Sequence, residues 1–408
     1  MIYNMSRYKS YLEFIRYSLN PKDEFLMDVA KMDWEGFFQF ANEQGILGVA
    51  FVGIQRLGEH GVKPPLDVLM QWIASASLIE QQNKAVNKAA TELFKELKND
   101  GLRGCILKGQ GNGLMYPNVY SRTPGDIDVW VRMADGRGPK ADGRGLKADG
   151  RCKKEEGRGL KAEGRGLKAD GRGMRDDVRD IIKYVKERNP NGKVCYHHID
   201  GGKIGGVEVE VHYRPSFMNN PIHNYRLQKW YKMMAEGGRL MEEVELPEGV
   251  GSIPVPTVEF NVVYQLVHVF RHLLQEGIGL RQIIDYYYVL KSNTNHTDDT
   301  NIIVLLNYLG LTKIAGAMMW LLSEVLGLEE EYLIVPKNEC LGKVLLAEIL
   351  KGGNFGQYDI DNIKVNSQLG KNWQRIRRDF RMMRYFPSEC IWEPVFRVYH
   401  FFWRKIYG

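Results

Sequence analysis

The sequence predicts an α+β fold in which a region of short strands separates two helical regions. Apolar residues recur every three to four positions through residues 1–100, as they do in amphipathic helices. Short apolar runs bounded by Gly, Pro and Asn mark residues 101–220, and helical spacing returns after Pro221. We therefore expect an N-terminal helical region (1–100), a central region that contains the sheet (101–220) and a C-terminal helical region (221–408).

The helices are predicted from apolar spacing and from residues that begin or end helices. In the N-terminal region, 66–76 and 78–97 place apolar side chains on one face and charged ones on the other. In the C-terminal region, Thr257 is a good N-cap for a helix that runs to about residue 274, because its hydroxyl can accept a hydrogen bond from a free N–H group. Further helices are expected at 280–290 and 301–311.

The central region is expected to form the sheet. In chain order, its predicted elements are a strand at 103–107, a Gly-rich turn and short helix ended by Pro117, a strand at 126–131, a helix at 177–188, and strands at 194–199 and 207–212 joined into a hairpin by a Gly-rich turn.

Residues 135–176 form a low-complexity insert that repeats a seven-residue unit six times, typified by DGRGLKA. Most copies hold two glycines and one apolar position, whereas a coiled coil needs two apolar positions per heptad. We expect a solvated, flexible insertion, with contact to RNA or to an acidic partner as the alternative. The insert carries 13 Lys/Arg and 8 Asp/Glu, so it supplies most of the net charge of +6. A nucleic-acid partner is therefore not favoured for the rest of the chain.

Several classes of protein are excluded by composition. Five scattered cysteines without CxxC spacing argue against a zinc ribbon or a disulfide framework and are typical of a reducing compartment. The chain has no apolar run of 18 residues, and residues 1–10 lack the apolar segment of a signal peptide. We expect a cytoplasmic protein without a membrane partner.

The most informative segment is Arg-Thr-Pro-Gly-Asp-Ile-Asp-Val-Trp-Val, in which Asp126 and Asp128 lie two residues apart at the start of a predicted strand. Side chains alternate along a strand, so both carboxylates share one face. A second strand, Val-Glu-Val-Glu-Val-His, places Glu208, Glu210 and His212 on one face. If the two strands are neighbours, one glutamate completes a cluster of three carboxylates, which is typical of a site for Mg²⁺.

These motifs resemble the uncharacterised nucleotidyltransferase family, which belongs to the DNA polymerase β-like superfamily. The resemblance covers about residues 25–290 and rests on Leu-Lys-Gly, Tyr-Pro, Arg-x-Pro-Gly-Asp-Ile-Asp-Val, Glu-Val-His-Tyr-Arg and a later Gly-Leu-Arg segment. It implies a nucleotidyltransferase-like palm with a mixed β-sheet, flanked by the two helical regions.

The resemblance also implies roles for individual residues. Asp126, Asp128 and Glu210 would be the catalytic ligands of Mg²⁺ (or Mn²⁺), and Glu210 is preferred to Glu208 because it lies two residues before the histidine. The residues expected to hold the triphosphate of the donor are Lys108, Gly109, Gly111 and Arg122. Superfamily members usually have Gly-Ser where this chain has Lys108-Gly109, so the lysine would replace the missing hydroxyl as a point charge.

The implied reaction is transfer of a nucleoside monophosphate from an NTP, with ATP as the expected donor, to an acceptor hydroxyl with release of pyrophosphate. The acceptor remains open among a small molecule, a protein side chain and an RNA end. A non-catalytic nucleotide-binding or interaction protein with a decayed site is the alternative. A dinucleotide-binding fold is disfavoured, because the glycines read GxGxG and the acids precede their apolar run.

The histidines give weaker signals. His197 and His198 are adjacent, so strand alternation predicts that they point to opposite faces and that at most one reaches the acids. His268 and His272 lie four apart on a predicted helix and share a face, where a packing or substrate-side role is favoured over a metal site.

Overall fold

The computed structural model describes residues 8–21, 31–133, 173–238, 240–293, 299–356 and 368–408. The prediction that the heptad insert is flexible falls on residues 135–176, which lie outside the described residues apart from the last four, at the start of a helix. Among the described helices, none alone is long and apolar enough to cross a membrane, although one pair bent by 120° (Asn301–Leu309 with Thr312–Val325) meets that test together.

Four helices form the N-terminal region, as predicted: α1 (Lys9–Leu19), α2 (Trp34–Glu43), α3 (Leu47–Glu59) and α4 (Leu66–Asn99). Asp33 caps α2, since its carboxylate accepts a hydrogen bond from the Gly36 N–H at 2.9 Å. The two predicted segments at 66–76 and 78–97 are one continuous helix, α4, because nothing between them breaks the helical spacing.

A four-stranded mixed sheet packs against α4. Its strands are β1 (Leu102–Ile106), β2 (Ile127–Met133), β3 (His198–Ile204) and β4 (Val207–His212), in the spatial order β1-β2-β4-β3. β2 is antiparallel to β1 and parallel to β4, and β4 is antiparallel to β3. The predicted α+β class with a mixed sheet is confirmed.

The β3–β4 hairpin is shifted from its predicted position. Residue 194 contributes only an isolated bridge to Ile199, and β3 continues to Ile204 through the segment predicted as a turn. An irregularity in the register between Asp200 and Lys203 accommodates the first two glycines. The turn itself is Gly205-Gly206, with φ of 56° and 84°, as a two-residue hairpin turn requires.

The remaining α-helices and β-strands complete the two sides of the fold. They are α5 (Gln110–Gly113), α6 (Gly173–Arg188), α7 (Pro221–Glu236), β5 (Met241–Glu245), β6 (Ser252–Pro256), α8 (Val258–Gln275), α9 (Leu280–Ser292), α10 (Asp299–Leu309), α11 (Thr312–Trp320), α12 (Glu339–Gly352), α13 (Gln368–Met383) and α14 (Pro387–Tyr407). The antiparallel pair β5–β6 contradicts the expectation that the chain is helical throughout after Pro221. The sequence concealed it because Pro254 and Pro256 resemble a loop and lack the N–H groups of a regular strand.

Two groups of buried apolar side chains hold these layers together. One joins the sheet to α4, α6 and the β5–β6 pair, and it includes Val129, Val211 and Trp403. The other joins the N-terminal helices to α8, α9 and the helices that follow. Both groups pack against β2, which therefore lies at their junction: Val129 belongs to the first and Trp130 to the second.

Candidate active site

Asp128 and Glu210 are direct neighbours across the parallel pair β2–β4. Their Cα atoms are partners in the register, two positions into β2 and four into β4. Asp128 is 2% exposed, whereas the side chain of Glu210 is 36% exposed and opens to solvent. His212 bridges them, with its Nε2 3.0 Å from Asp128 Oδ1 and 3.5 Å from Glu210 Oε2. The structure thus brings together two of the three predicted metal ligands.

Glu208 lies on the same strand face but outside this group. Its carboxylate is largely exposed and pairs with Lys203 at 3.3 Å across the β3–β4 hairpin. Glu208 precedes Glu210 toward the Gly205-Gly206 turn, away from Asp128. The geometry favours Glu210 as the third acid.

Lys108 compensates the buried charge of Asp128. It follows β1, where the Leu107 N–H donates to the Asp128 carbonyl at 2.9 Å, and its Nζ lies 3.0 Å from Asp128 Oδ2. Burial by itself raises the pKa of Asp128, but Lys108 and His212 outweigh burial and hold that pKa well below its usual range. Burial by itself lowers the pKa of His212, but its contacts with Asp128 and Glu210 outweigh burial and raise that pKa, which favours the protonated imidazole.

Asp126 has the opposite electrostatic environment. The negative charge of Asp128, together with burial and the charge of Glu210, raises the pKa of Asp126 to about 6, although Lys108 opposes this. Asp126 precedes β2 and lines a cleft whose walls are Lys108, Gly109, Arg122, Gly125, Asp126, Asp128, His268, Arg281, Gln282 and Asp285. The negative charges around Asp126, together with burial, therefore outweigh the positive charge of Lys108.

Arg122 lines the cleft, but its guanidinium is already paired with a carboxylate of the protein. It is 5% exposed, and its Nε and Nη2 each donate to the carboxylate of Asp285 at 2.8 Å. The Tyr116 hydroxyl donates to the same carboxylate at 2.6 Å. This bidentate buried pair ties the loop before β2 to α9.

Arg281 is the arginine that lies beside the acids. It sits in the first turn of α9, its Nη1 donates to the Thr123 carbonyl at 3.3 Å, and it lines the cleft with Asp126. No individual role was predicted for Arg281, and its signal in the sequence was the Gly-Leu-Arg segment of the family-like pattern.

The two glycines of the Lys-Gly-Gln-Gly segment differ in what they do. Gly109 has φ of 68° and lines the cleft, so its backbone adopts a conformation that favours glycine. Gly111 is buried, and an added Cβ would lie 2.9 Å from Val255 Cγ1 of β6. Packing therefore accounts for Gly111 without a phosphate.

His197 and His198 contradict the prediction that they point to opposite faces. His197 lies just before β3, where strand alternation does not apply, and its Nε2 is 3.0 Å from His198 Nδ1. Both rings lie beside His212, with centroids 5.3 and 5.2 Å from it. Burial lowers the pKa of His198 to about 4 and that of His197 well below its usual value.

His268 and His272 share one face of α8, as predicted, with ring centroids 4.4 Å apart. His268 lines the cleft, whereas His272 lies 3.1 Å from Glu276 Oε2 one turn further along. Neither belongs to a group of described residues with the geometry of a metal site.

A mixed sheet that carries acids on adjacent parallel strands, at a cleft lined by cations, defines a protein of the nucleotidyltransferase class. The sequence model of the family described as "Uncharacterised nucleotidyltransferase" matches residues 30–327, which is most of the chain. The chain belongs to this family, and the resemblance read from its motifs is confirmed. Membership supports nucleotidyl transfer as the general activity.

No curated protein matches the chain. Among solved structures, it is similar to an antigenic nucleotidyltransferase-like protein from Paracoccidioides brasiliensis, at 12% identity and a TM-score of 0.32, over 63% of this chain and 96% of that one.

Proposed function

We propose that the protein transfers a nucleoside monophosphate from an NTP, with ATP as the donor, to an acceptor hydroxyl and releases pyrophosphate. The observation that supports this most is the register of β2 and β4, which makes Asp128 and Glu210 neighbours and leaves Asp126 at the cleft. Such a cluster lies where a triphosphate could meet both acids and cations.

The three carboxylates fit a divalent metal of the Mg²⁺ or Mn²⁺ type. Their oxygens are the hard ligands that these ions prefer. The raised pKa of Asp126 is the sign of uncompensated negative charge that a cation would relieve. Asp126, Asp128 and Glu210 would hold the ion, which when bound supplies polarisation of the phosphate and neutralisation of the leaving pyrophosphate.

The cations of the cleft would bind the triphosphate. Lys108 is tethered to the end of β1 and can turn its ammonium from Asp128 to a phosphate oxygen without moving the strand. Arg281 offers a forked donor on the opposite wall, and the Gly109 backbone allows close approach. In this scheme Arg122, which we expected to contact phosphate, holds α9 in place through Asp285 so that Arg281 faces the cleft.

The test uses Glu208 and Glu210 as a matched pair on one strand. Purified wild type, Glu210→Gln and Glu208→Gln are titrated with ATP and with GTP, with and without Mg²⁺, and the thermal midpoint and pyrophosphate release are recorded. We expect a Mg²⁺-dependent rise in midpoint and pyrophosphate release in wild type and Glu208→Gln, and loss of both in Glu210→Gln. Equal behaviour of the two variants would contradict the assignment.

A second candidate, nucleotide binding without chemistry, is favoured by one observation. Both carboxylate oxygens of Asp128 are engaged by side chains of the protein, Oδ1 by His212 and Oδ2 by Lys108. A site locked in this state would bind a nucleotide through its cations alone. This second candidate predicts that ATP raises the thermal midpoint without Mg²⁺ and that no pyrophosphate is released.

A further inference from the structure

Three histidines gather at the end of the β3–β4 hairpin opposite its turn. His198 is the first residue of β3 and His212 the last of β4, and the two are partners in the antiparallel register. His197 joins them because the Tyr213 N–H donates to its carbonyl at 3.0 Å, which fixes the backbone just before β3. Ligand nitrogens of all three rings lie within 4.8 Å of one another.

The donor atoms form a continuous run that reaches the acids. His197 Nε2 is 3.0 Å from His198 Nδ1, which is 3.7 Å from Glu210 Oε2, which is 3.5 Å from His212 Nε2. Two atoms bound to one metal ion at about 2.1 Å each are roughly 3.0–3.4 Å apart for angles between a right angle and a tetrahedral one. The three distances between neighbouring donor atoms are close to this range, so small side-chain rotations would bring these atoms within reach of one ion.

Packing alone gives little reason for two buried imidazoles and a partly buried one at this place. His197 and His212 are 6% and 3% exposed, and the Nδ1 atom of each has no hydrogen-bond partner among the residues that the structure describes. Buried polar atoms are nearly always paired, because each unpaired one loses its hydration. These two rings are therefore only partly satisfied by the protein, through the Nε2 atoms that belong to the run described above.

We propose that His197, His198 and His212, with Glu210, form a site for a transition-metal ion such as Zn²⁺, next to the cluster of carboxylates and sharing Glu210 with it. Three imidazole nitrogens and one carboxylate oxygen suit zinc and its neighbours, whereas Mg²⁺ prefers oxygen ligands. A metal ion binds the neutral form of an imidazole, so binding at His212 would displace a proton from the ring that Asp128 and Glu210 contact. Access is through Glu210 and His198, the two most exposed members.

The site lies beside the proposed Mg²⁺ ligands and shares Glu210 with them. An ion held by the histidines would fix the side chain of Glu210 and take up part of its charge. The two sites would differ in their ligand atoms and in the substitutions that abolish them. Each site can therefore be tested without the other.

Co²⁺ is the probe, since its visible absorption reports imidazole ligands and coordination number. The full-length protein, freed of metal by a chelator, is titrated with Co²⁺ and then with Zn²⁺, and bound metal is measured by elemental analysis. We expect one Co²⁺ per chain with a strong visible absorption that Zn²⁺ removes. His198→Gln should lose this signal, whereas His272→Gln, which removes a buried histidine outside the cluster, should keep it.

Further variants separate this proposal from the proposed function. Asp126→Asn should abolish the effect of Mg²⁺ and ATP on the thermal midpoint yet keep Co²⁺ binding. His197→Gln serves as a second probe of the site, and far-ultraviolet circular dichroism checks that each variant is folded. Absence of stoichiometric Co²⁺ in folded wild type, or a Co²⁺ spectrum unchanged in both His197→Gln and His198→Gln, would overturn the inference, whatever the result with ATP.

Discussion

Asp126 lowers the stability of the folded protein at neutral pH, so replacing it with Asn should stabilise the chain. In the native state its carboxylate faces the charge of Asp128 and is partly buried, which raises its pKa to about 6 from an ordinary value of 3.8. Asn has the same shape but no charge. The Asp126→Asn variant therefore removes a repulsion and keeps the packing.

The magnitude follows from the difference in pKa between the folded and unfolded states. A difference of about 2 pKa units, at about 1.4 kcal/mol per unit, gives an upper bound of about 3 kcal/mol. Solvent screening reduces this value because the side chain of Asp126 is partly exposed at the cleft. We expect the free energy of unfolding to rise by roughly 1–2 kcal/mol at pH 7.5.

The effect should depend on pH in a defined direction. Because the pKa is higher in the folded state, the native protein binds more protons at this site than the unfolded chain between pH 3.8 and about 6. The stability of the wild type relative to the variant therefore falls as pH rises through that window. The advantage of Asp126→Asn should be complete above about pH 6 and shrink toward zero near pH 4.

Urea unfolding of wild type and Asp126→Asn at pH 7.5 and pH 5, in EDTA and without nucleotide, measures this difference. The chelator is needed because a bound cation would itself relieve the repulsion. A variant less stable than the wild type at pH 7.5, or an advantage that is the same at both pH values, would refute the electrostatic reasoning.

Three other substitutions have expected outcomes that urea unfolding can check. Asp128→Asn should lower the free energy of unfolding by about 2–4 kcal/mol, since its two buried cationic partners lose their counterion, and equal or greater stability would contradict this. Gly111→Ala should lower the free energy of unfolding by about 1–2 kcal/mol, because the new Cβ clashes with a side chain of β6. Gly58→Ala is the control: an added Cβ there has nothing within 4 Å, so this variant should be neutral or stabilising. Equal effects of the two substitutions would contradict the explanation by packing. Arg122→Gln should cost about 3–5 kcal/mol by leaving Asp285 buried and uncompensated, and unchanged stability with weaker ATP binding would instead indicate a direct phosphate contact.

The local parts of the fold could be predicted because each rests on a short-range pattern. β2 and β4 were found within a residue or two, since their apolar and charged residues alternate. The second half of β3 was missed because its glycines resemble a turn, and only the pairing with β4 carries the strand through them. The β5–β6 pair was missed for the related reason that two prolines hide a short strand.

The residues of the candidate site could be predicted where they belong to one short sequence motif. The Asp-x-Asp spacing indicated Asp126 and Asp128 directly, but the choice between Glu208 and Glu210 depends on the register of two strands about 80 residues apart. In the structure Asp128 pairs with Glu210, which favours Glu210 over Glu208. The gathering of His197 with the acids depends on where β3 begins, which the sequence did not reveal.

The roles of the two arginines were beyond sequence reasoning because a cation can pair with any acid within reach. Arg122 stands next to the Asp-x-Asp motif along the chain, yet it pairs with Asp285, 163 residues further on. Arg281 stands far away along the chain, yet it lines the cleft with Asp126. Proximity along the chain therefore indicated neither the pairing of Arg122 with Asp285 nor the presence of Arg281 at the cleft.

Lys108 links the stability of the site to its proposed chemistry. Without nucleotide, its ammonium offsets the buried charge of Asp128, which is why that acid is ionised and Asp126 is the one that resists ionisation. A triphosphate that draws Lys108 to itself would expose Asp128 and raise the negative charge facing Asp126. The affinity of the carboxylates for a divalent cation would then rise when the nucleotide arrives, because the same lysine cannot neutralise both groups. On the proposed function, nucleotide and metal therefore bind together more tightly than either binds alone.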